Sequence, residues 1–355
     1  MKKRDSNKIS IVIPFYNRKD FIKLMVDSII NQSYTNWELI MVDDGSEDGS
    51  KELVKEFEKI DSRIIYLRRS DFSNIKGACS CRNYGLNQAT GKYIIFFDSD
   101  DWIHPDCLKN RLSFIENHPN LDFAVFPYFF YKRKDLINGE VVSGVPSINN
   151  KDALFNLLIR NLPFTVVSNI YKTQVLREKQ ILWDEHLMSL QDADFNISAL
   201  LAGLSFDFCD KYGFDYFVRM NNNSSSVSRS ILQPKHIESH LYYFLKQKER
   251  ISKMKDTKLE DGLHLLSYSF YMLFMNNDNA KERLLQYADD KVLMIKDRVC
   301  SFLRKIGIPS KVITGLLFYR LSSKYRYATH RRKIKGLSMY YISKEIIENI
   351  EPVMM

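Results

Sequence analysis

Three carboxylates, Asp98, Asp100 and Asp101, stand nearly side by side directly after the apolar run YIIFF. Like charges at that spacing repel one another unless donors or a cation neutralise them, and a hard divalent ion that also bridges phosphate oxygens would do so. The same letters could write an Asp-rich turn capping a helix that begins near Pro105. A second acidic pair, Asp43 and Asp44, closes the run WELIMV and opens DDGSEDGS. A carboxylate there can accept from a nucleobase N–H or a ribose hydroxyl, although a turn leading into an N-cap uses the same residues.

These groups need a scaffold. From Lys8 to about Phe130 the apolar runs ISIVIPF, WELIMVDD, IIYL, YIIFFDSD and DFAVF alternate with segments of 3–4 spacing, such as Phe21, Leu24, Met25, Ile29 and Leu53, Phe57, Ile60. Strand and helix in alternation predict an α/β fold, an open and mostly parallel sheet with helices on both faces. Such sheets bind ligands beyond the carboxyl ends of their strands, and PFYNRKD, DDGSEDGS and DSDDW all fall there. A helix is expected around Asp192 to Leu201 and a strand at YGFDYFVR. After Gln233 the pattern becomes helical: His236 to Met254, Leu263 to Met275 and Asp290 to Ile306. The predicted division is a catalytic-type domain over 1–232 and a smaller helical domain over 233–355, with NNNSSSVSRS at 221–230 as a flexible loop.

PFYN, DDGS, RN and DSDD, each at a strand end or helix start and in that order, resemble family 2 glycosyltransferases of the GT-A, Rossmann-like fold. The likeness runs from Lys8 to Ser230, along IVIPFYNRKDFIKLMVDSIINQSYTNWELIMVDDGSEDGS and GACSCRNYGLNQATGKYIIFFDSDDWIHPDCL. It implies that Pro14, Tyr16, Asp43 and Asp44 line a nucleobase and ribose pocket, and that Gly77 and Arg82 help close over the nucleotide. Asp98 and Asp100 would hold Mg2+ or Mn2+ on the donor diphosphate, with Asp100 closest and Asp98 and Asp101 also near the nucleotide; Arg219, in YFVRMNNNSSSVS, would approach the diphosphate. Where the family has a His metal ligand, this chain offers Asn221, Asn222 and Asn223.

Inverting relatives open a helix with Glu-Asp, and SLQDADF fits that frame with Gln191 in place of Glu, Asp192 as candidate base and Asp194 as a neighbouring alternative. A capped helix whose acids complement its dipole would look alike. Trp102 and Trp183 could stack on a sugar ring, Trp102 the better placed and Trp183 more often core. His104 and His118 read as surface or capping residues. The implied reaction is inverting transfer of a hexosyl or N-acetylhexosaminyl group, UDP-linked by default, to a glycan or lipid-linked acceptor in cell-surface polysaccharide synthesis. A nucleotidyltransferase would share the carboxylates but needs a Gly-rich loop that PFYNRKD lacks. An inactive glycan- or membrane-binding module would not need all of Asp44, Asp98, Asp100 and Asp192.

The 355 residues are 45% apolar and 27% charged, which suits a globular chain with a sizeable core. Five cysteines with no paired spacing point to a reducing compartment, and no run approaches the roughly 20 apolar residues of a membrane span. A cytoplasmic protein is expected, peripheral at the inner face of the plasma membrane if its tail is an anchor. The net charge of +9 resides in that tail: Ser301 to Gly336 contains ten Lys or Arg and no acid. Val312, Ile313, Leu316, Leu317 and Leu321 recur there at helical spacing among basic residues. Either an anionic membrane surface meets 301–336 or the helix packs on the catalytic domain. No nucleic-acid partner is expected, since no binding module accompanies the charge.

Overall fold

The computed structural model describes residues 7–133, 139–145, 152–160, 162–209, 211–213, 215–220, 232–309 and 312–313. The first half alternates as its sequence predicts: β1 (Ile9–Phe15), α1 (Lys19–Ile30), β2 (Trp37–Asp43), α2 (Ser50–Ile60), β3 (Ile64–Arg68), α3 (Ala78–Gln88) and β4 (Tyr93–Phe96). Every residue of β1 and β2 is buried, which is why both read as nearly continuous apolar runs, interrupted by the buried Ser10 and Glu38, rather than alternating ones. Ile22, Met25, Val26 and Ile29 form the buried face of α1. Of the residues spaced along α2, Leu53 and Phe57 pack against the core, whereas Ile60 at the helix end is exposed.

Next come β5 (Trp102–Ile103), α4 (Cys107–Asn117), β6 (Phe123–Val125), β7 (Tyr128–Arg133), β8 (Gly139–Val145), α5 (Ala153–Leu158), β9 (Asn169–Lys172), α6 (Thr173–Glu178), α7 (Gln191–Leu201), β10 (Phe206–Phe208) and β11 (Tyr216–Met220). The main sheet has seven strands in the order β10-β6-β9-β4-β1-β2-β3. It is mixed, because β9 runs antiparallel to both β4 and β6 while the other pairs are parallel. A second sheet, β5-β11-β7-β8, carries the end of the acidic segment and lies outside the simple alternation.

Four helices follow: α8 (Pro234–Ser252), α9 (Thr257–Phe274), α10 (Asp278–Ala288) and α11 (Lys291–Lys305). They are closely joined to the preceding segment. Gly262 of α9 lies so close to α5 that a Cβ there would stand 2.9 Å from Leu158 Cδ2. The buried Asp194 of α7 accepts hydrogen bonds from Lys246 (2.8 Å), Gln247 (2.9 Å) and Arg250 (2.9 Å) of α8. All five cysteines are buried and free. No helix among the described residues is long and apolar enough to cross a membrane. The loop at 221–230 and the tail beyond residue 313 lie outside the described residues, as do Asn221, Asn222 and Asn223.

Candidate active site

The carboxyl ends of β1, β2 and β4 adjoin one another in the sheet and bring the first two motifs and the acidic triplet together. Pro14 is buried in β1 opposite Val42, and Tyr16, just past the strand, is 50% exposed. Asp43 is buried and builds the turn: one carboxylate oxygen accepts from the Gly45 and Ser46 backbone N–H groups at 3.1 and 2.8 Å, the other from the Tyr66 hydroxyl at 3.0 Å. Gly45 has φ +95°, a left-handed value that favours glycine. Asp44 points differently. Its carboxylate accepts from Arg69 Nε at 2.6 Å, and its own N–H donates to the Phe15 carbonyl. The second motif is laced to the first, since Asn17 N–H donates to Ser46 Oγ and Glu47 N–H to Asn17 Oδ1. Sequence reasoning missed Tyr66 and Arg69; a Tyr inside β3 and a basic residue just beyond it were the available signals.

The acidic triplet divides by orientation. Asp98 has a side chain 43% exposed, and Asp100 is partly buried. Burial and the Asp98 charge push the Asp100 carboxyl up, while Arg18 and Arg219 oppose that shift. Asp101 turns inward. It is buried, accepts from the Tyr216 hydroxyl at 2.6 Å and from the Arg219 backbone N–H at 2.8 Å, and so ties β5 to β11 behind the site. Burial, then the charges of Asp100 and Asp98, push its carboxyl well up. Arg219 lays its guanidinium over the Phe21 ring at 3.9 Å.

Arg82 joins this corner to the start of α7. It is buried in α3, donates to Asp98 Oδ1 at 2.7 Å and Gln191 Oε1 at 3.2 Å, and stacks on the Trp183 indole at 4.4 Å. Gln191 also donates to the Leu187 carbonyl at 2.8 Å, so both ends of its amide are engaged; a glutamate there would lack the second bond. Asp192 follows, one residue into a helix whose preceding residue, Leu190, has φ +63°. Burial drives its carboxyl up to about 6; Asp98 pushes the same way, while Arg82 and the Val166 N–H pull it down. Asp194 faces the opposite way into α8, which corrects its standing as an alternative base: three donors already occupy it.

Gly77 precedes α3 with φ +133° and open space where a Cβ would be. Trp102 is buried, its ring stacked on Phe217 at 3.7 Å, so packing rather than a sugar face occupies it. Trp183 is core, between Arg82 and Phe195. His104 Nδ1 accepts from the Asp106 N–H and His118 stacks on Phe114, both local roles.

The profile of the family described as "Glycosyl transferase family 2" matches residues 10–183. Those residues belong to that family. Along 95% of its length the chain is 26% identical to the Bacillus subtilis minor teichoic acid biosynthesis protein GgaB, covering 36% of it. It is 34% identical over 153 residues to B. subtilis TuaG, a putative teichuronic acid biosynthesis glycosyltransferase, with 42% of this chain and 58% of TuaG aligned. The chain thus spans less than two thirds of either relative. Staphylococcus aureus TarS 1–349 in complex with UDP-GlcNAc superposes with a TM-score of 0.58 at 19% identity, covering 94% of this chain and 99% of that one. At that identity the likeness establishes a shared GT-A fold with its helical C-terminal region.

Proposed function

We propose that this chain is an inverting, metal-dependent glycosyltransferase that moves a hexosyl or N-acetylhexosaminyl group from a UDP-sugar to a glycan or lipid-linked acceptor of a cell-surface polysaccharide. The observation that carries the reading is the Arg82 bridge, which fixes the acidic corner at Asp98 against the start of α7 and so sets Asp192 opposite it. The names of the relatives support the substrate class: TarS is a poly(ribitol-phosphate) N-acetylglucosaminyltransferase and GgaB a teichoic acid biosynthesis protein.

In this mechanism Tyr16 and Asp44 receive the nucleoside, backed by Pro14 and Asp43, and Gly77 shapes the approach to Arg82. Asp192 takes the proton from an acceptor hydroxyl as that oxygen attacks the anomeric carbon. The bond to the diphosphate breaks on the opposite face, so configuration inverts, and Arg219 balances the charge carried away. Asp98 and Asp100 fit a divalent ion, because they repel one another and one of them is open to solvent; bound there, Mn2+ or Mg2+ would supply Lewis-acid stabilisation of the leaving diphosphate. Asp101 shapes the site through Tyr216 and Arg219.

The test pairs binding with turnover. A panel of nucleotide sugars with Mn2+ should raise the melting temperature for one donor. Asp192→Asn should keep that stabilisation and lose transfer, and undiminished turnover in the variant would remove Asp192 from the mechanism. We also propose that the basic segment 301–336 meets an anionic membrane, where a lipid-linked acceptor would be found.

A further inference from the structure

The exposed residues of α11 and the position just after it are Lys291, Val292, Ile295, Arg298, Val299, Phe302, Lys305 and Ile306. On a helix of 3.6 residues per turn they sort into two adjacent rows. Val292, Ile295, Val299, Phe302 and Ile306 share one arc, and each is 38–61% exposed. Lys291, Arg298 and Lys305 line its edge at seven-residue intervals. The one acid of α11, Asp297, and the capping Asp290 are turned inward, whereas Asp289, before the cap, is exposed. Asp290 is buried and caps the helix through the Val292 and Leu293 N–H groups, while Asp297 accepts from the Tyr271 hydroxyl at 2.8 Å and pairs with Lys281 at 3.3 Å. The opposite face of α11 is anchored by the buried Leu293 and Cys300.

We infer that this face of α11 is a membrane-contact surface that lies flat on an anionic lipid headgroup layer, with the apolar row inserted and the basic row on the phosphates. A surface of apolar and cationic residues without an acid is what such a layer complements in both respects. Charge decides against two other occupants. The segment 307–336 that follows it is itself cationic without an acid and would be repelled by the basic row, and a second copy docking by the same face would set cation against cation; residues 337–355, with Glu345, Glu348 and Glu351 against Lys344, would instead cover the face and keep wild type off both vesicle types. The inference shares its partner, and residues 301–306, with the membrane reading of 301–336, but it rests on the folded helix that begins at Lys291 and makes α11 a platform rather than a tail.

The test uses the full-length chain with vesicles of phosphatidylcholine alone or mixed with phosphatidylglycerol, read by sedimentation. Wild type should pellet with the anionic vesicles only. Replacing Lys291, Arg298 and Lys305 together by Gln should weaken binding on the order of 100-fold, and Ile295→Gln with Phe302→Gln by about tenfold or more, with unchanged circular dichroism because every site is exposed. A third variant replaces Arg331, Arg332, Lys333 and Lys335 by Gln and leaves α11 intact. If the α11 variants pellet like wild type, the inference is overturned, and loss in the third variant alone assigns binding to the tail. Wild type that ignores both vesicle types also overturns it. So does lipid-free self-association abolished by the Ile295 and Phe302 changes, which would make the face an interface between copies.

Discussion

Asp194→Ala removes the single acceptor on which Lys246, Gln247 and Arg250 of α8 converge. The carboxylate is 1% exposed, whereas Lys246 and Arg250 are 20% and 27% exposed. Deleting one partner of a buried ion pair costs about 3–5 kcal/mol. Here the stranded cations keep other acceptors: Lys246 retains Asp184, and Arg250 retains Ser198 Oγ at 3.1 Å. The loss should therefore fall near the lower end, about 3 kcal/mol. The reverse change, Lys246→Met with Arg250→Met, leaves the carboxylate buried with Gln247 as its remaining α8 donor and should cost more, about 4–5 kcal/mol. Urea unfolding followed by the fluorescence of Trp183, which stacks on Phe195 of α7, reads both. Because α7 also carries Asp192, turnover should fall in the folded Asp194→Ala protein even where donor binding persists. A stability change below about 1 kcal/mol, or a smaller loss in the double cation variant than in Asp194→Ala, would refute the assignment of α8 as the brace of α7.

Other outcomes follow from single contacts. In the proposed mechanism Asp192, its carboxyl pushed up to about 6, acts in its ionised form, so kcat/KM should rise with pH to a plateau above that value and stand at about a tenth of it at pH 5; a flat profile from pH 5 to 8 would contradict the role. Arg82→Gln withdraws a cation that lowers that pKa, so the acid limb should move to higher pH, and Arg82→Lys, which keeps the charge, should return it toward the wild-type position even though one ammonium cannot span Asp98 and Gln191 as the fork does. Gly85→Ala would set a Cβ 2.2 Å from Val12 Cγ1, a strain of about 1–3 kcal/mol in thermal melts, and Val12→Ala beside it should recover part of the loss.

The strands at the centre were legible because burial on both faces writes them as nearly unbroken apolar runs, and β1, β2 and β4 stand where those runs are. The start of α7 was legible from its acids in the family frame. What stayed hidden depends on distant partners. Nothing near Asp101 tells it from Asp100, since the groups that turn it inward, Tyr216 and the Arg219 backbone, lie more than 100 residues away. Trp102 likewise becomes core through Phe217, its partner across β5 and β11. Strand β9 is four residues long and sits within a sheet that alternation predicts to be parallel, and α10 fills a gap between two longer helical patterns.

The position of β9 also dictates an order of assembly. It lies between β4 and β6, so the half-sheet β3-β2-β1-β4 can form as soon as Phe96 has been made, but its β4 edge has no neighbour until Asn169–Lys172 follows. Strand β6 is synthesised earlier and cannot fill the place. For some seventy residues of synthesis the growing chain therefore presents Tyr93–Phe96, four aromatic or branched apolar residues, along an open strand edge. Chains halted in that interval should associate edge to edge and draw chaperones, whereas chains extended past Lys172 should close the sheet and escape.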